Sequence, residues 1–590
     1  MPGYRAPLED MRFVLTELHD SAQMAALPGC EALTPELMGS VLEAAGQFTG
    51  EVLFPLNQKG DLEGCTWENG AVRTPEGFKA AYEGFCAAGW TAMACAPEFG
   101  GQGMPVVLSS MVEEMMCAAN MAFGLYPGLT HGAYLALYHH GAEALRQLYL
   151  PKLVSGQWSG TMCLTEPHCG TDLGMLRTRA VPAADGAYTV TGNKIFISAG
   201  EHDLTENIVH LVLARLPDAP AGVKGISLFV VPKFLPGADG GLGARNAVVC
   251  TAIEHKMGIK ASATCAMSFD GATGWIVGEP HKGLRAMFTM MNTERLSVGI
   301  QGLGVAEVAY QNAVAYARER IQGRALTGAK APEKPADPIL VHPDVRRMLL
   351  TMRAYIEGCR ALSGWVAGQV DVLQRTGDEE ARAEADDFTA LLTPVVKALF
   401  TDLGFEAASL AMQCYGGHGY IRDHGMEQYV RDARISMLYE GTNGVQALDL
   451  VGRKLPQDGG RLLTRFLDPV IAFIEANGGE EMRPFVAPLQ AALEDLQVAT
   501  GHVMEAAMSN YDEIGAASVE YLRLFGLVAL GFMWARMAKI AQPKAGEPFY
   551  RAKLGTARFY MLRLLPQTGA LRAAIEAGAA VMMEFADADF

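Results

Sequence analysis

A multidomain α+β protein is what this sequence predicts, on three observations. At 590 residues the chain exceeds what one hydrophobic core organises. Half of its residues are hydrophobic and 19% are charged, the balance of a chain with much surface to bury rather than of a disordered one. The period of its apolar residues changes along the chain, from helical to strand-like and back to helical.

Over 34–159 apolar residues recur at helical spacing, as at Leu37, Val41, Leu42 and Ala45, with a Gly- and Pro-rich break at 97–103. Residues 1–159 are therefore expected to form an N-terminal α-domain. Over 160–283 short runs rich in β-branched and aromatic residues alternate with turn residues, at 188–191, 194–198, 208–213 and 226–231. No helical pattern separates these runs, so a mostly antiparallel middle β-domain is expected, not a parallel sheet with crossover helices. Helical periodicity returns over 284–454, most clearly at 297–321 and 388–415, and predicts an α-bundle. Residues 323–343 carry four prolines and read as a loop. After a Pro- and Gly-containing break at 455–460, residues 461–590 read as an additional helical domain.

The formal net charge of -17 argues against nucleic acid, which is bound by neutralising phosphates with Lys and Arg. It is equally poor for adsorption to an anionic membrane. The most apolar stretch, 524–534, is shorter than the roughly 20 residues that span a bilayer, so no transmembrane segment is expected. The N-terminus contains acidic residues and no long apolar run, unlike a secretory signal. Eleven cysteines are scattered without a CxxC pair, and neither a zinc site nor any other metal is expected. Reduced thiols in a cytoplasmic protein are the expectation. Gly302-Leu303-Gly304 lacks the third glycine of a dinucleotide fingerprint and follows no strand. There is no HExxH, and His139-His140 reads as a partly exposed helix end.

Four segments carry chemistry. The first, Met162-Cys163-Leu164-Thr165-Glu166-Pro167-His168-Cys169-Gly170-Thr171-Asp172, combines hydroxyls with Pro and Gly, as a loop shaped around a ligand would; an ordinary turn is the plainer alternative. In the second, Lys194-Ile195-Phe196-Ile197-Ser198-Ala199-Gly200, strand alternation would put Phe196 and Ser198 on one face. A flat ring beside a hydroxyl suits an isoalloxazine, and equally a half-buried strand with no special role. The third, Gln413-Cys414-Tyr415-Gly416-Gly417-His418-Gly419-Tyr420, has more glycines than a helix C-cap needs. Such backbone allows close approach of a phosphate or adenosine. The fourth, Leu438-Tyr439-Glu440-Gly441-Thr442-Asn443-Gly444, places a glutamate in an apolar, aromatic setting, where desolvation raises a carboxyl pKa towards that of a working base. Alone, Glu440 would read as a solvated surface carboxylate.

Together and in this order, the four segments resemble the acyl-CoA dehydrogenase family. TEPHCGTD is similar to that family's TEPGAGSD-type loop, KIFISAG to its KxWITN strand, YGGHGY to its LGGxGY turn, and YEGT to its catalytic Glu segment. Further matches lie at 97–103, 150–156, 256–259 and 318–323, so the resemblance covers 34–454. It implies the same α, β, α order and FAD as cofactor. Thr165 would bond the flavin ring, with the backbone of 162–171, including Met162, Leu164, Gly170 and Thr171, lining the cofactor. Ser198 would sit near flavin N5, and Phe196 replaces the family's usual Trp against the ring. Arg320 and Gln322 would hold the FAD pyrophosphate of a second subunit, and Gln413, Gly416 and Gly417 its adenosine end. Thr442 would contact the flavin side, and Thr171, Arg295 and Gly441 the acyl-CoA. Glu440 would remove the α-proton of the thioester while the β-hydrogen leaves as hydride, with fixed donors polarising the carbonyl.

The sequence departs from the family pattern in three places. Glu294 precedes Arg295 where some branches of the family carry their base instead; Glu440 keeps the complete YEGT context and is the preferred base, with Glu294 the runner-up. Asn443-Gly444 replaces the common Ser-Gln, which puts an Asn443 side-chain contact to FAD in doubt. The 323–343 loop is longer than in the smaller members. The resemblance further implies electron-transfer flavoprotein as acceptor and a homodimer, with the additional domain covering the surface by which smaller members pair their dimers. An acyl-CoA oxidase would share the flavin chemistry but admit O2. A non-catalytic assembly protein would be expected to lack the base. The additional domain points to a bacterial subgroup acting on short or medium acyl-CoAs or on 3-(methylthio)propanoyl-CoA.

Overall fold

The computed structural model describes residues 2–19 and 21–590. Its contacts divide the chain into two compact units, one made of the chain up to Gln47, Pro105–Ala118 and Val298–Phe590, the other of Phe48–Met104 and Ala119–Ser297.

The second unit is built on seven strands: β1 (Trp158–Cys163), β2 (Arg179–Pro182), β3 (Tyr188–Ser198), β4 (Asn207–Arg215), β5 (Ile226–Pro232), β6 (Val248–Ile253) and β7 (Thr264–Val277). The two runs expected at 188–191 and 194–198 are one strand, β3. β7 pairs antiparallel with β6, β3 and β5; β2 pairs antiparallel with β3, and β4 with β5. β4 also runs parallel to β1 and touches β2 in parallel at one residue pair, so β3, β2, β4, β5 and β7 close into a ring. The sheet is thus mostly antiparallel, as expected, with one parallel pairing of any length, β1 with β4. β1 enters from the helix Glu143–Val154 rather than from a hairpin, which frees it to lie alongside β4. Val190, Val212, Ala214, Phe229, Val231 and Phe269 fill the core. Nearly every residue of β4 and all of β5 are buried, which is why these strands read as apolar runs without alternation. A further departure from the all-helical N-terminal reading is the short hairpin Thr66–Glu68 with Ala71–Arg73.

Long helices dominate the rest: α1 (Val106–His140), α2 (Gly283–Glu319), α3 (Pro343–Arg375), α4 (Glu379–Cys414), α5 (Met426–Ser436), α6 (Asn443–Asp449), α7 (Asp512–Ala541) and α8 (Pro548–Phe559). α1 is broken at Asn120, whose φ of -162° is not helical and whose side chain accepts from the Phe123 N–H, as an N-cap would. In the first unit α2 and α4 approach closely: a Cβ on Gly302 would lie 2.7 Å from the Phe400 carbonyl oxygen. The Gly302-Leu303-Gly304 triplet therefore serves helix packing. α7 covers α3 and α4, with Gly526 against Leu399 and the Trp534 indole N–H donating to the Ala354 carbonyl at 3.0 Å.

A buried charge network lies within the same unit. The Arg360 guanidinium, 1% exposed, meets Glu114, Asp10 and Glu307, and Lys553 on α8 meets Asp10 and Glu357. Burial pushes the Glu114 carboxyl up to about 7, against the pull of Arg360.

The helices Val106–His140, Glu379–Cys414 and Asp512–Lys544 are by length and composition long and apolar enough to cross a membrane, which the length of the 524–534 run alone does not show. In each, most of the apolar stretch (83%, 78% and 83%) is buried within the protein, so packing against neighbouring helices accounts for the apolarity.

Candidate active site

In the strand-built unit, the 164–172 loop is fastened to β3 by a buried ion pair. The Lys194 ammonium, fully buried, donates to the Leu164 carbonyl and to a Glu166 carboxylate oxygen, both at 2.9 Å. Glu166, 3% exposed, also accepts from the Thr178 hydroxyl at 2.6 Å and from the N–H groups of Arg177 and Thr178. Burial pushes the Lys194 pKa down and Glu166 pulls it back. Burial also opposes the charged Glu166, yet Lys194 and the N–H donors hold its carboxyl below the usual range. The Ile195 N–H donates to the Thr165 carbonyl at 3.0 Å, which brings Thr165 beside the strand that carries Phe196 and Ser198. Glu166 and Lys194 stood in the sequence motifs without an assigned role. The signal for Lys194 was a lone charge at the head of the otherwise apolar run 194–197; Glu166, among hydroxyls and other polar residues, had none.

β3 is not a regular strand here. Lys194 pairs with Met267 and Ile197 with Cys265, so three steps on β3 oppose two on β7, and the extra residue is a β-bulge. Phe196 has a φ of +59° and is 59% exposed; Ala199 has a φ of +54°. Left-handed backbone at an aromatic residue is an outlier that only a fixed surrounding sustains. Simple alternation, by which Phe196 and Ser198 would share a face, does not survive the bulge. Met162, Leu164, Thr165 and Ser198 are half-buried, and Gly170 and Thr171 are exposed. Glu294 and Arg295 on α2 are buried, and a Cβ on Gly132 would stand 2.6 Å from a Glu294 carboxylate oxygen.

In the helical unit, Arg320 and Gln322 follow the end of α2 and are exposed. The loop they open is braced by Asp337, whose carboxylate accepts from the N–H groups of Ala325, Lys330 and Ala331 at 2.7 to 2.9 Å. Those donors, Ala325 first, hold the Asp337 carboxyl at about 2. The turn after α4 lies beside the end of α2: Tyr316 stacks on Tyr415 at 4.0 Å, and the Tyr316 hydroxyl bonds His418 at 2.9 Å. This juxtaposes the elements carrying Arg320 and Gln322 with the one carrying Gln413, Gly416 and Gly417.

The fourth segment is a tight loop between α5 and α6. Glu440 has a φ of +56° and Gly441 one of +81°, so consecutive residues are left-handed. Thr442 caps α6 by accepting from the Val445 N–H at 3.2 Å. The Asn443 side chain, instead of being presented to solvent, is locked into α4: it accepts from Lys397 at 2.8 Å and donates to Asp402 at 2.7 Å and to the Thr401 hydroxyl at 2.9 Å. Glu440 belongs to one unit and Glu294 to the other.

Comparison with known proteins gives the same ordering of parts. Residues 43–157, 161–272 and 281–455 match the N-terminal, middle and C-terminal domains of acyl-CoA dehydrogenase, and residues 466–586 match an acetyl-CoA dehydrogenase C-terminal-like domain. The chain is 45% identical over 574 residues to 3-methylmercaptopropionyl-CoA dehydrogenase of Ruegeria pomeroyi, covering 96% of this chain and 97% of that one. It belongs to the acyl-CoA dehydrogenase family. A butyryl-CoA dehydrogenase of Syntrophomonas wolfei is 34% identical, over 96% of this chain and 95% of its own. Among solved structures, Caenorhabditis elegans ACDH-11 in complex with C11-CoA superposes with a TM-score of 0.77 at 19% identity, over 95% of this chain and 91% of that one.

As an acyl-CoA dehydrogenase the protein is an FAD-dependent oxidoreductase, and its residues fit that cofactor. Phe196 offers an exposed flat ring. Gly416 and Gly417 are exposed, with no heavy atom within 4 Å of where a Cβ would stand, so a phosphate or sugar has room against their backbone.

Proposed function

We propose that this acyl-CoA dehydrogenase converts a short acyl-CoA to its trans-2-enoyl-CoA with Glu440 as base, and that 3-(methylthio)propanoyl-CoA is its substrate. The observation that carries the reading is the 45% identity, end to end, with the dehydrogenase named for that thioester, against 34% for the butyryl-CoA enzyme.

Glu440 takes the α-proton, and the left-handed backbone at 440 and 441 sets the direction from which it does so. Fixed donors, among them the Glu440 N–H, polarise the thioester oxygen as charge develops on it. FAD, when bound, supplies the acceptor for the β-hydrogen as hydride. Thr165 and Ser198 orient that acceptor, and Phe196 shields it from one side. Thr171, Arg295 and Gly441 hold the acyl-CoA. Arg320, Gln322, Gln413, Gly416 and Gly417 serve the cofactor of a second copy, so the working form is a homodimer; their exposure within one unit is what supports this. Asn443, engaged with α4, holds the base loop rather than FAD. Electrons pass to electron-transfer flavoprotein. The eleven cysteines, all free, suit the reducing cytoplasm.

An anaerobic titration of the yellow protein with a panel of acyl-CoAs, followed by bleaching of the flavin band, tests the substrate. 3-(Methylthio)propanoyl-CoA should reduce the flavin fastest; faster reduction by butyryl-CoA or a longer chain would overturn the choice. Steady H2O2 release without an added acceptor would assign an oxidase instead.

A further inference from the structure

We propose that Gln446 is a positioning residue for the base, an inference that rests on Glu440 being that base. A glutamate at positive φ is disfavoured relative to right-handed backbone, and persists where its surroundings over-determine it. Gln446 supplies such a constraint. Its side chain is fully buried in the first turn of α6, and its amide N–H₂ donates to the carbonyls of Glu440 at 3.1 Å and Gly441 at 3.4 Å. Both carbonyls thus converge on one donor group, which the two successive left-handed residues permit. Gly441 makes the room: a Cβ there would stand 2.7 Å from the Gln446 amide nitrogen.

The rest of the loop is tied at its ends. The Asn443 N–H donates to the Met437 carbonyl at 3.1 Å, Thr442 caps α6, and the Tyr439 hydroxyl donates to Gln301. The Gln446 amide fixes the peptides in between. Rotation there would swing the Glu440 carboxylate and its N–H together, so proton removal and oxyanion stabilisation depend on one hydrogen-bonded group. A neutral amide is suited to this task, since an ionised group in its place would shift the pKa of the base it holds.

The test is anaerobic flavin reduction in the FAD-loaded protein at saturating acyl-CoA, across pH. Gln446→Met keeps the length and removes the donor. Its reduction rate should fall on the order of 10²-fold, the loss that a misplacement of about 1 Å produces, while FAD content and the KM for acyl-CoA stay those of the parent. Gln446→Glu supplies a signature that simple loss of packing does not. Ionised, the new carboxylate repels both carbonyls; protonated, it donates to one of them. Its reduction rate relative to the parent should therefore rise as pH falls, although the parent itself slows as its base is protonated. Parent-like reduction by Gln446→Met, or a ratio for Gln446→Glu that is flat with pH, would overturn the proposal. If Gln446→Met fails to hold FAD, the pH dependence of Gln446→Glu decides. Glu440→Gln run alongside separates the two levels: parent-like reduction in that variant removes the base assignment itself.

Discussion

The 164–172 loop and the 438–446 loop are both held in place by buried side chains, but by different chemistry. The first is pinned by a charged pair, Lys194 with Glu166, surrounded by further hydrogen-bond donors. The second is pinned at its centre by the neutral amide of Gln446, and at its edge by that of Asn443. A charged pin is strong and directional, and it suits the role proposed for this loop, in which backbone groups and a hydroxyl line the cofactor. Around a base, a charge would set the pKa of the group it holds. Glu114 shows what an ionisable group undergoes when buried among other carboxylates: its pKa is pushed up to about 7 even with Arg360 beside it.

Breaking the charged pin should have the largest effect on stability. Lys194→Met leaves Glu166 buried and uncompensated, a loss of about 3–5 kcal/mol, seen as a lowered denaturation midpoint together with FAD release. An unchanged midpoint would mean that the pair contributes nothing beyond a hydrophobic substitute. The same pin should weaken on acidification. The Glu166 carboxyl is held below its ordinary value, so its contribution is present above the unfolded pKa and is lost as pH falls through the folded one. Cofactor retention should fall with it, whereas the Gln446 amide at the centre of the 438–446 loop does not titrate.

A smaller effect is expected from Glu114→Gln. A carboxyl with a raised pKa favours the folded state while protonated, and this advantage declines as pH rises from 4.5 towards about 7. The variant should gain stability relative to the parent over that window, by up to about 3 kcal/mol. A pH-independent difference would contradict the account of that network. Smaller still is Asn443→Ala, which strips the buried Lys397 of an acceptor and should cost about 1–3 kcal/mol. Its flavin content should match the parent's; loss of FAD without loss of stability would restore Asn443 to the cofactor site.

Much of this was legible in the sequence because it is local. Helical period over 388–415 matches the observed Glu379–Cys414 to within one residue at its end, and the apolar runs at 208–213 and 226–231 lie within β4 and β5. The parallel pairing of β1 with β4 was not legible, since it depends on where a strand enters the sheet and not on its own composition. Nor was the bulge in β3, because one inserted residue leaves the apolar pattern of KIFIS unchanged. Among the proposed functional residues, types with intrinsic chemistry stood out, as Glu440 and Thr165 did. Lys194, Glu166 and Gln446 did not, because their roles follow from partners 28 and 6 positions away. Asn443 stood out as a substitution, and only its contacts to α4 give it a task.

The base assignment is tested most directly by flavin reduction in Glu440→Gln beside Glu294→Gln, both loaded with FAD and mixed anaerobically with acyl-CoA. Two ionised carboxylates serving one desolvated site would repel, so one base is expected rather than two. Glu440→Gln keeps the shape and the backbone donor while abolishing proton acceptance. Its reduction rate should fall by orders of magnitude, beyond the roughly 10²–10⁴ that positioned proton transfer contributes elsewhere. Glu294→Gln should keep most of the parent's rate. The opposite ranking would contradict the account and move the base to α2.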